Sequence, residues 1–185
     1  MIEDSVAPSA GAENGDRYPD HRAYIASQRA LSACSREFAR LGDAIIDGLG
    51  AVPSAEVVPK PESIRTPDRC IVQLGPVALT LGWLRSTPDS VADGRLLVIV
   101  WQGTVTPRRR FYVERPAAAQ QPAKSATVLW ECEFAAEAAS EATWTWRSVA
   151  EVGYAVSSDA LAANCVERLS AALDAAGIDQ PPPVQ

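Results

Sequence analysis

The chain has 185 residues, of which 47% are hydrophobic and 22% are charged, with a net charge of −6. This length suits one domain, and the apolar fraction is too high for a disordered protein. Residues 1–20 hold five acidic residues against one arginine, a net charge of −4, so the rest of the chain carries only −2 and nucleic acid is a poor candidate partner.

The first predicted element is an amphipathic helix from about residue 21 to about residue 48. Residues 1–18 are acidic, rich in Ala, Ser and Gly and without periodicity, and we expect a disordered tail there. Asp20 is the expected N-cap of the helix, and Gly48 and Gly50 are expected to end it. Its apolar seam, which recurs at helical spacing, is Tyr24, Leu31, Cys34, Phe38, Leu41, Ile45 and Leu49.

A sheet is predicted after this helix. Residues 51–68 contain four prolines and are expected to cross the surface without regular structure. Beyond them, apolar and polar residues alternate with the period of half-buried strands. The first two segments could also be one strand bent at Gly75 and Pro76, so five or six strands are expected. The predicted strands are residues 70–74, 77–85, 95–103, 109–115, 126–135 and 143–149.

A second helix, predicted over residues 159–176, follows the sheet. Ser157, Ser158 and Asp159 supply its N-cap, and Gly177 is expected to end it. Residues 178–185 hold three prolines and are predicted to be a flexible tail. The order of elements predicts one α+β domain over residues 19–177. It is a two-layer sandwich with an antiparallel meander sheet and both terminal helices packed on one face.

The predicted central strand differs from its neighbours because every residue from Leu96 to Trp101 is apolar. Neighbouring strands are polar on one face, so this strand must place large apolar groups among polar ones. The sequence leaves open whether Leu97, Ile99 and Trp101 or their alternates point away from the helices. It also leaves open whether residues 51–68 or another molecule cover that second face.

The four cysteines are expected to be buried and reduced. Cys34, Cys70, Cys132 and Cys165 form no Cys-x-x-Cys pair, which disfavours a zinc site. Cys132 lies between two glutamates, which disfavour the thiolate that a nucleophile requires. Alternation along its strand points Cys132 into the core.

No catalytic or cofactor motif is visible, and we expect no metal, no cofactor and no catalytic residue. The single histidine, His21, is expected on a helix surface. Glu131 and Glu133 lie about 7 Å apart on one strand face and could serve acid–base chemistry. A solvated face, with pairing to Arg110 or Arg147, is the simpler interpretation. Whether the protein is an enzyme stays uncertain, and the residues favour one that is not.

One basic run, Arg108, Arg109 and Arg110, is a weak candidate for an anion-binding site. It precedes Phe111 and could hold a phosphate or an acidic partner. Its predicted place at a hairpin turn fits plain solvated charge equally well.

Three functional hypotheses follow. The first is a non-enzymatic adaptor, chaperone or assembly subunit that binds a protein partner or a second copy through an apolar patch. The second is a small-ligand carrier or sensor with a tryptophan-lined pocket between sheet and helices, and the third is an enzyme using the two glutamates. No signal peptide or membrane-length apolar run is visible, so a soluble cytoplasmic protein is expected. The patch assigned to partner binding is Leu97, Ile99, Trp101, Leu84, Tyr112 and Leu129.

Overall fold

A six-stranded antiparallel sheet, with two long helices against one of its faces, forms the part of the chain that the computed structural model describes. That part comprises residues 27–51, 60–88, 90–105, 126–140, 143–150 and 153–178. Each strand pairs with the next along the chain, which confirms the predicted α+β meander with its two helices. The elements are α1 (Gln28–Ala51), β1 (Glu62–Thr66), β2 (Arg69–Leu74), β3 (Val77–Leu84), β4 (Arg95–Gln102), β5 (Thr127–Ala138), β6 (Trp144–Ser148) and α2 (Ser158–Ile178).

Helix α1 buries the predicted seam from Cys34 onwards, and it extends past both of the glycines that were expected to end it. Ser27 caps its start, because its Oγ accepts a hydrogen bond of 3.2 Å from the Ala30 amide. A Cβ on Gly48 would lie 3.0 Å from Cγ2 of Val166 on α2, so this glycine allows the two helices to approach closely. The predicted start near residue 21, with Asp20 and Tyr24, lies outside the described residues.

Strand β1 corrects the prediction that residues 51–68 contain no regular element. Glu62–Thr66 pairs along the outer side of β2, with Ile64 opposite Ile71. All five residues are exposed, so the segment lacks the apolar alternation that identifies a half-buried strand. Arg65 donates a hydrogen bond to Asp43 of α1 and ties this edge of the sheet to the helix.

Strand β4 settles which of its alternating sets faces the helices. Leu96, Val98 and Val100 are buried in the core beneath the helices. Leu97, Ile99 and Trp101 therefore point to the other face, where they are half-buried. The orientation left open by the sequence places three large apolar side chains on the face without a helix.

A β-bulge in β5 corrects the predicted orientation of Val128. Trp130 pairs with Val100, but Val128 pairs with Trp101, so β5 contains one extra residue at Leu129. A bulge of this kind turns two successive side chains toward the same side of the sheet. Unbroken alternation along residues 126–135 predicts Val128 in the core beside Trp130, whereas the bulge places it on the face away from the helices.

Strand β5 is the neighbour of β4 in the sheet, and it ends three residues later than predicted. Its last five residues pair with β6. The predicted strand at residues 109–115 lies outside the described residues. Helix α2 begins after Ser157, whose Oγ accepts a hydrogen bond from the Ala160 amide. It continues through Gly177, which was expected to end it.

Candidate functional site

The face of the sheet opposite the helices, called here the second sheet face, exposes several large apolar side chains. Ile64 is 46% exposed and Leu84 is 52% exposed, at different places on this face. The two bulge residues, Val128 and Leu129, are 45% and 47% exposed. With the half-buried side chains of β4, the large apolar members of the face are Ile64, Ile71, Leu84, Leu97, Ile99, Trp101, Val128 and Leu129, of which Ile71 is buried.

Small residues on β3 leave the three side chains of β4 prominent on this face. The cross-strand partners of Trp101, Ile99 and Leu97 are Ala78, Thr80 and Gly82, in that order. The Trp101 indole leans across β3, because its Nε1 donates a hydrogen bond of 3.0 Å to the Thr80 hydroxyl. At Gly82 an added Cβ would find its nearest neighbours on Leu97 at 4.0 Å. The surface over β3 beside Leu97 therefore has room for at least a methyl group.

Charged side chains border this apolar area. Arg95 pairs with Glu133 at 3.2 Å, and Arg147 pairs with Glu137 at 2.5 Å. Glu131 lies opposite Ile99 and is exposed. Apolar side chains surrounded by charged ones are the usual anatomy of a protein interface.

The two glutamates considered for catalysis, Glu131 and Glu133, lie on the second sheet face beside the apolar side chains of β4. Glu133 has Arg95 as its ion-pair partner, and Arg147 pairs with Glu137, whereas Arg110 lies outside the described residues. Within the described residues, no group of three or more His, Cys, Asp or Glu side chains could hold a metal ion.

The patch proposed from the sequence is brought together in part. Leu97, Ile99, Trp101 and Leu129 lie on neighbouring strands, and Leu84 lies on the same face at the far end of β3. Tyr112 and the basic run Arg108, Arg109 and Arg110 lie outside the described residues. Sequence reasoning missed Ile64 and Val128. Pro61 and Pro67, which flank β1, were the signal available for Ile64, whereas the alternation of residues gives no signal for the bulge that turns Val128.

A cleft of about 380 Å³ lies on the opposite side of the molecule, between α2 and strands β5 and β6. Its position between sheet and helix resembles that of the predicted tryptophan-lined pocket. Trp130 and Trp146 line it, whereas Trp101 lies on the second sheet face. Tyr154 is 98% exposed where it lines the cleft. The lining of the cleft also includes Glu131, Cys132, Phe134, Ser148, Asn164 and Arg168.

Arg168 is held in a defined position in this cleft. Its guanidinium carbon lies 4.1 Å from the centre of the Trp130 ring, a cation–π contact. Its Nε donates a hydrogen bond of 2.9 Å to Oδ1 of Asn164, one helical turn earlier. Two independent contacts thus fix a cationic side chain beside an aromatic wall.

Burial keeps three of the four cysteines from acting as nucleophiles. All four are free thiols, and Cys34, Cys70 and Cys165 are buried. Burial raises the pKa of the Cys34 and Cys165 thiols to about 12. Cys132 faces the helices as predicted but is only half-buried, and its Sγ lies 3.7 Å from the Ser148 hydroxyl in the cleft.

Comparison of the chain with models of known protein families, with curated proteins and with solved structures finds no match. No helix in the described part of the chain is long and apolar enough to cross a membrane.

Proposed function

We propose that the chain is a non-enzymatic protein–protein interaction module, an adaptor, chaperone or assembly subunit, that binds through its second sheet face. The observation that carries the proposal is the orientation of β4. This strand buries one apolar set under the helices and presents Leu97, Ile99 and Trp101 on the face that the helices leave uncovered.

Removal of these apolar side chains from water would drive the binding of a partner. Complete burial of one large aliphatic or aromatic side chain contributes about 1.5–3 kcal/mol. Four side chains on this face, Ile64, Leu84, Val128 and Leu129, are about half exposed and still have much of that free energy to gain. These four side chains lie around the β4 residues. Together with them, they would form the buried centre of an interface, with the Arg95–Glu133 ion pair at its border.

Residues 60–68, the described end of the segment considered as a cover, do not lie over this face. Residues 62–66 form β1, which extends the sheet sideways in its own plane. Ile64 on this strand adds another exposed apolar side chain to the face. This arrangement favours a second molecule as the cover, either a protein partner or another copy of the chain.

Leu129→Ser tests this proposal, with Tyr154→Ser as the matched control. Both residues are exposed apolar side chains, but Tyr154 lines the cleft and not the second sheet face. Sedimentation velocity measures self-association, and cross-linking in the native host captures other partners. We expect Leu129→Ser to weaken dimer formation or capture at least about tenfold, the effect of losing roughly 1.4 kcal/mol, while Tyr154→Ser changes neither. A wild-type chain that stays monomeric and whose captured proteins are equally retained by Leu129→Ser would refute the proposal.

A further inference from the structure

The cleft between α2 and strands β5 and β6 has the size and lining of a small-molecule site, and it is separate from the second sheet face. Its volume of about 380 Å³ falls at the lower end of the range that ligand pockets occupy. Phe134 and Trp146 are buried in its floor, and Trp130 is half-buried at its side. Flat apolar walls of this kind accommodate an aromatic ring.

The charge of the cleft limits what else such a ligand can carry. Of the described residues that line it, Arg168 is the only one with a cationic side chain, and the side chain of Glu131 lies on the other face of the sheet, opposite Ile99. One fixed positive charge suits a single negative charge. A polyphosphate or a dianion would find no second cation among the described lining residues to offset its further charge.

Arg168 also differs from the arginines that stabilise the fold. Arg40, Arg65, Arg95 and Arg147 each pair with a carboxylate of this chain. Arg168 is held instead by a neutral amide and an aromatic ring, and no carboxylate in the described residues pairs with its terminal nitrogens. The Trp130 ring covers one face of the guanidinium, so the N–H groups at its edge remain available to a carboxylate.

Tyr154 gives a further reason to expect an aromatic ligand. The side chain is almost fully exposed beside Gly153, which also lines the cleft. A ring bound in the cleft would be contacted by Tyr154 on one side and by the aromatic lining on the other, and offset contacts between rings stabilise such an arrangement.

We propose that this cleft binds a small aromatic carboxylate, with the carboxylate paired to Arg168 and the ring among Trp130, Trp146 and Tyr154. The site does not depend on the proposed interaction through the second sheet face, and either can fail without the other.

Titration with 1-naphthoate, followed by tryptophan fluorescence and by protection of Cys132 from alkylation, tests the site. The probe is expected to bind saturably and to slow alkylation of Cys132, whose thiol lines the cleft. Arg168→Met should weaken binding at least about tenfold, as expected for loss of a charge-assisted hydrogen bond. Arg168→Lys should recover part of the affinity, because it restores the charge without the planar fork.

Three controls complete the experiment. Arg36→Met removes an exposed arginine from α1, outside the cleft lining, and should bind 1-naphthoate like the wild type. Leu129→Ser should also leave this binding unchanged, which separates the cleft from the second sheet face. The neutral analogue 1-naphthalenemethanol should bind at least about tenfold more weakly. Absence of saturable binding, equal binding by the neutral analogue, or full affinity in Arg168→Met would each overturn the proposal.

Discussion

The indole Nε1 of Trp146 donates a hydrogen bond of 2.8 Å to the hydroxyl of Ser158, in the buried contact between β6 and the first turn of α2. Ser158 is fully buried, and its hydroxyl donates in turn to the Glu37 carboxylate of α1. Arg40 pairs with both Glu37 and Asp159. Ser158 therefore links the sheet to both helices, because its hydroxyl bonds to Trp146 of β6 and to Glu37 of α1.

Ser158→Ala should destabilise the fold. The substitution leaves the Trp146 indole without its acceptor and removes one donor from Glu37, in a place that excludes water. An unsatisfied buried group of this kind costs about 1–3 kcal/mol. Urea unfolding followed by tryptophan fluorescence measures the loss. Ser170→Ala, a serine on α2 outside this network, is the control and should change the free energy of unfolding by less than about 0.5 kcal/mol. Equal stabilities of the two variants would contradict the role of the network.

Glu37 should make the stability of the protein depend on pH in the acid range. Burial by itself raises the pKa of Glu37, but hydrogen bonds from Arg40 and Ser158 and the charge of Arg40 outweigh burial and lower it below its ordinary value. A pKa lower in the folded than in the unfolded chain gives stability that is fully present above the unfolded value of about 4.3. This stability is lost as the pH falls through the folded pKa.

Glu37→Gln should therefore be less stable than the wild type near neutral pH, and the difference should shrink as the pH falls below about 4. Thermal unfolding at a series of pH values measures it. Glu167→Gln, on the exposed side of α2, is the matched control and should follow the wild-type profile. A Glu37→Gln profile parallel to the wild type would show that this carboxylate has the same pKa in the folded and unfolded chain.

The sequence predicted the elements whose side chains alternate between core and solvent. It did not predict the features that depend on backbone pairing or on a bulge. Alternation located β3, and helical spacing located the buried side of α2, because both elements have one apolar side. The exposed strand β1 is held by backbone pairing to β2, which leaves no apolar signal. The orientation of Val128 depends on a bulge, which inserts a residue into the ladder and cannot be read from alternation.

The two candidate sites also differ in how far the sequence predicted them. The apolar set on β4 was visible because it interrupts a pattern along one strand. The sequence suggested a tryptophan-lined pocket only as an alternative and did not include Arg168 or Tyr154, which come to the cleft from α2 and the preceding loop. Their meeting with Trp130 depends on how α2 crosses the sheet, and one sequence carries no local signal for that crossing.

Gly94→Ala should destabilise the end of the sheet near Trp83. A Cβ at position 94 would lie 2.5 Å and 2.6 Å from two ring carbons of Trp83, with the Val91 carbonyl oxygen at 3.1 Å. Trp83 is buried and contacts Trp146 edge to face, with ring centres 5.7 Å apart, so it has little room to move. Overpacking of this kind costs about 1–3 kcal/mol.

Gly82→Ala is the matched control for this substitution, because its added Cβ meets nothing closer than 4.0 Å. Alanine also restricts the unfolded chain, so this variant should be neutral or more stable by up to about 1 kcal/mol. Denaturant unfolding of the two variants compares them directly. Equal destabilisation would show that Trp83 does not constrain position 94.

The four thiols should differ sharply in reactivity, with Cys132 alkylated first in the folded protein. Burial raises the pKa of Cys34 and Cys165 to about 12, so only about one molecule in ten thousand carries either thiolate at pH 8. Cys70 is also buried, and burial raises the pKa of its thiol. Mass spectrometry after timed exposure to N-ethylmaleimide should show one rapid adduct, absent from Cys132→Ser, and four adducts in denaturant. Rapid labelling of Cys34 or Cys165 in the folded chain would mean that α1 or α2 opens from the sheet far more often than this packing implies.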